Sequence, residues 1–141
     1  MGPKLQEQLC YSLYSTSRAI TQAYKSLLDP LNLTYSQYVV MMALWEHDGL
    51  VISKIAEATG IGNATLSPLL KRLESNGYIK RQSEDRDERK KRIALTRAGR
   101  ALGKKALKAS EQALCATGLS EKEATRLMSL CDSIKRELHG A

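Results

Sequence analysis

At 141 residues and 15.6 kDa the chain has the length of one compact domain with a small core. Hydrophobic residues make up 43% and charged residues 26%, a balance that suits a folded protein and excludes a disordered one. No apolar run approaches the roughly 20 residues of a membrane span, and Met1-Gly2-Pro3-Lys4-Leu5-Gln6 has no apolar signal core, so a cytoplasmic protein is expected. The net charge of +7 is concentrated: residues 71–108 hold 14 basic and 5 acidic side chains, against 8 basic and 10 acidic elsewhere. Such a block is either a surface that meets a polyanion or a solvated face with surplus lysine.

Leu5, Leu9, Leu13, Ile20, Tyr24, Leu27 and Leu28 fall mostly three or four residues apart, which predicts a long amphipathic first helix stopped by Pro30. Thr34-Tyr35-Ser36-Gln37 has the form of a capping box and opens a second helix through Trp45. Ser53 is expected to cap a short third helix ending at Gly60. Leu66, Leu69, Leu70 and Leu73 stripe a fourth helix closed by Asn76-Gly77. Pro68 permits two starts for it. With Ser67 as cap, Pro68 takes the first helical position; a start near Asn63 keeps the stripe intact and is preferred. Tyr78-Ile79-Lys80-Arg81 and Arg92-Ile93-Ala94-Leu95 are strand-like segments about a charged loop, a β-hairpin. Thr96 then caps a long helix running toward Thr117-Gly118. Ser120-Glu121-Lys122-Glu123 is a second capping box, opening a last helix striped by Leu127, Cys131, Ile134 and Leu138.

The expected fold is mainly α (α+β), and the middle of that order reads as a winged helix-turn-helix. In such a motif the second helix enters the major groove and the hairpin reaches a minor groove or the backbone. Residues 53–59 form the supporting helix, Gly60-Ile61-Gly62 the turn and residues 63–76 the recognition helix. Asn63, Thr65 and Ser67 are expected to face bases, with Lys71 and Arg72 reaching phosphates or a guanine edge. Asp85-Arg86-Asp87-Glu88-Arg89-Lys90-Lys91 is the expected wing, with Arg86 or Arg89 at its tip and Lys90 and Lys91 also on the DNA. Gly60-Ile61-Gly62 begins like a dinucleotide fingerprint, but Thr65 stands where the third glycine belongs and no long strand precedes it, so that reading is rejected.

Thr65-Leu66-Ser67-Pro68-Leu69-Leu70-Lys71-Arg72-Leu73-Glu74, then Asp87-Glu88-Arg89 and Leu95-Thr96-Arg97-Ala98-Gly99, resemble the MarR family of bacterial repressors, and the resemblance covers essentially the whole chain. It implies an obligate homodimer of one domain, residues 1–141, on double-stranded operator DNA. Residues 5–30 and 97–141 would interlock the two copies, and residues 34–96 would form the DNA-reading lobe. It also implies that Asp87 orders the wing and that Arg89 lies against the minor groove.

Cys10, Cys115 and Cys131 form no Cys-x-x-Cys, and His47 and His139 supply no recognisable ligand spacing, so neither metal nor other cofactor is expected. Each cysteine reads first as a small buried hydrophobe, Cys131 above all because it lies on the last helix's stripe. A structural disulfide is not the default in a cytoplasmic protein. Cys10 has a second reading. It lies in about the second turn of the first helix, among Tyr11, Ser12, Tyr14, Ser15 and Thr16. A helix N-terminus and hydroxyl donors favour a thiolate, and a thiolate attacks a peroxide to give a sulfenic acid. The residues alone do not rank this above packing.

Gln8-Leu9-Cys10, Leu13-Tyr14-Ser15, Tyr24, Leu33-Thr34-Tyr35-Ser36-Gln37-Tyr38 and Leu44-Trp45-Glu46 are similar to the organic-hydroperoxide-sensing (OhrR-type) branch of that family. This similarity implies that Cys10 is the redox sensor and that Tyr24 and Tyr35 of the other subunit donate hydrogen bonds to it. Amphipathic core filling is the other reading of both tyrosines. In the two-cysteine subset of the branch, Cys115 would resolve the sulfenic acid as an intersubunit disulfide, with Cys131 the fallback. The branch usually opens its recognition helix with Asp-Ser; Gly62-Asn63 stands here and points to a different operator preference.

Oxidation is then expected to release DNA. A disulfide needs Cα atoms within roughly 7 Å, and dragging helices into that range displaces a reading head from its half-site. The chain is expected not to be an enzyme, since a thiol peroxidase needs repeated turnover and nothing resembles a thioredoxin-type arrangement. Two alternatives remain: a repressor released by a small aromatic ligand, its cysteines structural, and a nonspecific nucleoid protein.

Overall fold

Caps, prolines and glycines divide the chain. The computed structural model describes residues 1–83 and 91–140. The first helix, α1 (Leu9–Leu28), begins four residues later than its apolar stripe. Leu5–Glu7 instead form a separate 3₁₀ turn, and Gln8 follows it in extended backbone (φ −96°, ψ 122°) as the N-cap of α1. The Gln8 N–H closes that turn on the Leu5 carbonyl and its side-chain amide donates to the Lys4 carbonyl at 3.1 Å, so the two helices do not merge. Cys10 therefore sits in the first turn of α1, not the second.

After α1, Pro30 lies inside a second 3₁₀ turn, Asp29–Leu31, ended by Asn32 at φ 56°. Asparagine is one of the few side chains at ease in that left-handed region. The Thr34 capping box is formed: the Gln37 N–H donates to Thr34 Oγ1 at 3.3 Å and the Thr34 N–H donates to Gln37 Oε1 at 2.9 Å. It opens α2 (Tyr35–Glu46), whose Tyr38, Val40, Met41 and Leu44 are buried. Ser53 is not a cap. Leu50–Val51 form a short strand, β1, and the chain passes from it directly into α3 (Ile52–Thr59), with Val51 as an N-cap that makes no side-chain bond.

Gly60, at φ 72°, turns the chain toward α4 (Asn63–Ser75). Pro68 lies within α4 and removes the donor for the Ala64 carbonyl. Leu66, Leu70 and Leu73 are fully buried and offset that loss. Strands β2 (Ile79–Gln82) and β3 (Arg92–Leu95) pair antiparallel with Ile79 opposite Leu95, and β1 pairs on the other side of β3 with Leu50 opposite Ile93. The sheet thus has three strands in the order β1-β3-β2, one more than the hairpin expected. Thr96 caps α5 (Arg97–Ala116) through the Gly99 N–H at 3.0 Å, and the Ser120–Glu123 capping box opens α6 (Glu121–Leu138).

The core lies where α2 crosses α3, α4 and the sheet. The foot of α5 is pinned to this lobe at several points. The Trp45 indole N–H donates to the Gly99 carbonyl at 2.9 Å, Asp48 Oδ1 accepts the Leu95 N–H at 2.8 Å, and Arg100 Nη1 donates to the Leu95 carbonyl at 3.1 Å. The outer helices differ. No residue of α6 is buried, and Leu9, Leu13 and Tyr14 on α1 and Leu127, Met128 and Leu130 on α6 are exposed. No helix among the described residues is long and apolar enough to cross a membrane.

Candidate DNA-reading face and thiol centre

Helix α4 is buried along one side and open along the other. Thr65, Ser67, Lys71 and Arg72 are exposed, opposite the Leu66, Leu70 and Leu73 stripe, and Asn63 is exposed at the first position of the helix on the same side as Leu70. At about 100° per residue, Ser67 and Lys71 lie on one flank of the open face, Thr65 and Arg72 on the other, and Ala64 and Pro68 between them. Arg72 leans toward the α1–α2 junction, where it shares a hollow of about 380 Å³ with Asp29, Asn32, Thr34 and Asn76. Arg86, Asp87, Arg89 and Lys90 lie outside the described residues, whereas Lys91 is half-buried just before β3.

The basic block divides by role. Arg81 lies 3.8 Å from Glu74 and ties β2 to the end of α4, and Arg92 Nη1 donates to the Gly49 carbonyl at 3.0 Å. Arg100 bonds the Leu95 carbonyl and stands 3.9 Å from Asp48. These three cations brace the lobe. Arg97, Lys104, Lys105 and Lys108 are exposed along α5, a different element from α4. Composition alone could not separate bracing arginines from free ones.

Cys10 is exposed at the second position of α1, among backbone N–H groups that a helix leaves without internal acceptors. Cys115 is exposed in the last turn of α5, and Cys131 is half-buried in α6. All three are free thiols. The expected burial of Cys131 is thus only partial in one chain, because α6 has nothing packed over its stripe.

Tyr24 and Tyr35 come together: their ring centroids are 5.4 Å apart, at the end of α1 and the start of α2. A third ring, not singled out from the sequence, completes the group. Tyr38 lies 5.3 Å from Tyr24, 6.0 Å from Tyr35 and 6.2 Å from Trp45. The signal was its position three residues after Tyr35, which puts both on one side of α2. Burial, reinforced by the neighbouring Tyr24, raises the Tyr35 phenol above its ordinary value. Burial pushes Tyr38 up to about 12. Both phenols therefore keep their protons at neutral pH and act as donors.

One distance governs how this group meets the thiol. Cys10 and Tyr24 stand on the same unbroken helix, fourteen residues apart, which at 1.5 Å per residue is about 21 Å. The tyrosines of one chain are out of reach of its own Cys10.

A model of the MarR family matches residues 33–91. Over 136 residues, 96% of this chain and 92% of the relative, the sequence is 40% identical to the organic hydroperoxide resistance transcriptional regulator of Bacillus subtilis (strain 168). Among solved structures, reduced AbfR bound to DNA superposes with a TM-score of 0.81 at 30% identity, covering 96% of this chain and 93% of that one. AbfR is a protein of Staphylococcus epidermidis. Its disulfide-formed structure superposes less well, with a TM-score of 0.67 at 31% identity over 92% of this chain and 91% of that one.

Proposed function

The chain belongs to the MarR family, as a DNA-binding transcription regulator of winged helix-turn-helix fold, and on that footing we propose that it is a cytoplasmic repressor whose reduced homodimer holds operator DNA until an organic hydroperoxide oxidises Cys10. The observation that carries this reading is the length of α1. An exposed thiol at one end and the paired rings of Tyr24 and Tyr35 about 21 Å away at the other become one site only when a second chain lies alongside. The exposed apolar stripes of α1 and α6 supply the surface for that second chain. Residues 5–30 and 97–141 then dimerise and residues 34–96 read DNA.

In the dimer, Tyr24 and Tyr35 of the other chain donate to the Cys10 sulfur and hold it as thiolate. The thiolate attacks the outer oxygen of the hydroperoxide: an S–O bond forms, the O–O bond breaks, and the alkoxide takes a proton to leave as alcohol. The thiolate of Cys115 from the partner then attacks the Cys10 sulfenic acid. The S–S bond forms, the S–O bond breaks, and the hydroxide takes a proton to leave as water. One hydroperoxide and two thiols give one alcohol, one disulfide and one water. Drawing the two Cα atoms within about 7 Å moves whole helices, because the foot of α5 is bonded to the reading lobe and carries it along. This chain's closer likeness to reduced, DNA-bound AbfR than to the disulfide form supports a DNA-holding conformation for the reduced protein. On the DNA, Asn63, Thr65 and Ser67 face bases, Lys71, Arg72, Lys90 and Lys91 take phosphates, and Asp87 orders a wing that carries Arg86 and Arg89.

Non-reducing gel electrophoresis after one equivalent of cumene hydroperoxide tests the chemistry. The expected result is a linked dimer in the parent and none in Cys10→Ser or Cys115→Ser. Linked dimers persisting in Cys115→Ser would transfer the resolving role to Cys131. A second reading, release by a small aromatic ligand, draws on the apolar hollow of about 580 Å³ between α2 and α5, lined by Met42, Trp45 and Leu107 and rimmed by Arg100 and Lys104. It requires release under reducing conditions.

A further inference from the structure

The thiol chemistry proposed above consumes a hydroperoxide, and what lies beside the thiol decides which hydroperoxide fits. Arg18 and Lys25 stand seven residues apart on α1, close to two full turns, so both leave the same side of the helix about 10.5 Å apart. They line one hollow of about 500 Å³ between α1 and the start of α2, together with Asp29 and Tyr35. The Arg18 guanidinium is steadied over the Tyr14 ring, 5.6 Å from its centroid. Among the described residues neither cation has a carboxylate within ion-pair distance, Asp29 included. The hollow therefore sets two cations against one anion, with room for a second anion.

Tyr35 joins this hollow to the expected place of the sulfur. Its ring lies on the lining and 5.4 Å from the Tyr24 ring, and Lys25 directly follows Tyr24 on α1. A hydroperoxide attacked at these two phenols by Cys10 of the other subunit has its remaining chain beside the two cations. We propose that the hollow holds the far end of the oxidant, and that the oxidant it fits is a hydroperoxide bearing a carboxylate, which Lys25 and Arg18 take while the outer peroxide oxygen meets the sulfur. The inference rests on the reading of Cys10 as sensor and of Tyr35 as its donor. Leu28 and Leu33, both buried, also line the hollow and give the intervening carbons an apolar surface. The bonds made and broken at sulfur are those written above, and the carboxylate passes through unchanged. A neutral hydroperoxide forgoes the two cations. Because both are exposed, the advantage is modest and is screened by salt.

A matched pair of oxidants tests the site: the hydroperoxide of linoleic acid and that of its methyl ester, each below its micellar range. Second-order rates of Cys10 oxidation are read on the reduced full-length protein as loss of iodoacetamide-reactive Cys10 by peptide mass. The parent is expected to react about three- to tenfold faster with the acid than with the ester, and about 0.5 M sodium chloride should shrink that ratio. Lys25→Gln and Arg18→Gln should each lower the ratio and the double variant should bring it near one, while Lys25→Arg should keep it. Each protein is its own control, since a general loss of reactivity slows both oxidants and leaves the ratio unmoved. A parent ratio of one, or a ratio undiminished in the double variant, overturns the carboxylate site while Cys10 remains the sensor. If the double variant fails to fold, a parent ratio that salt does not lower overturns it equally. A parent whose Cys10 reacts with neither oxidant overturns both the sensor reading and the carboxylate site.

Discussion

Gly99 stands where the foot of α5 meets the first strand of the hairpin, and a Cβ added there would run into the Tyr78 carbonyl oxygen. That oxygen is fixed by the Thr96 N–H at 3.0 Å, and Thr96 is itself tied to Gly77 and to Gly99. Backbone blocks the space, so relief requires the helix to move. Gly99→Ala is therefore expected to cost ~1–3 kcal/mol, read as a lower denaturation midpoint in urea. An unchanged midpoint would mean that α5 is not held as described. The glycine is plain in the sequence, but its reason is not, since the oxygen it avoids lies 21 residues earlier in the chain. The same limit applied to Tyr38. Its letter sits in a run already quoted, yet only the folded packing of α1 on α2 shows that its ring meets those of Tyr24 and Tyr35.

At the next scale, the elements with local causes were legible. Both capping boxes, the Thr96 cap and the Leu66–Leu70–Leu73 stripe lie where their residue patterns put them. Strand β1 was not legible. Two residues carry no period, and they are a strand only because Ile93 and Arg92 lie beside them. The late start of α1 was also hidden, because the Leu5 to Leu13 spacing continues across a backbone break made by Gln8. That shift matters for function, since it brings Cys10 to the end of its helix. For α4 the exposed flank that carries Ser67 and Lys71 is the testable part. Lys71→Ala is expected to weaken binding about equally on specific and random duplexes and to lower the salt dependence by about one phosphate contact. A loss confined to the specific duplex would make Lys71 a base reader instead.

At the scale of the molecule, burial is uneven. The lobe of α2, α3, α4 and the sheet has a closed core, while α6 buries nothing and the outer side of α1 shows Leu9, Leu13 and Tyr14 to solvent. The stripes themselves were visible as periodicity; that they remain uncovered was not, because periodicity does not say which chain supplies the cover. The separation of Cys10 from Tyr24 was legible in principle from the rise of a helix, once α1 was known to be unbroken. Whether a peroxide signal passes from thiol to DNA is settled by binding. A duplex selected from a random pool by the reduced protein should be bound by parent and by Cys10→Ser alike. One equivalent of cumene hydroperoxide should release the parent alone, and dithiothreitol should restore it. Release of Cys10→Ser by the same treatment, or a parent that stays bound while its Cys10 is oxidised, would contradict the thiol trigger.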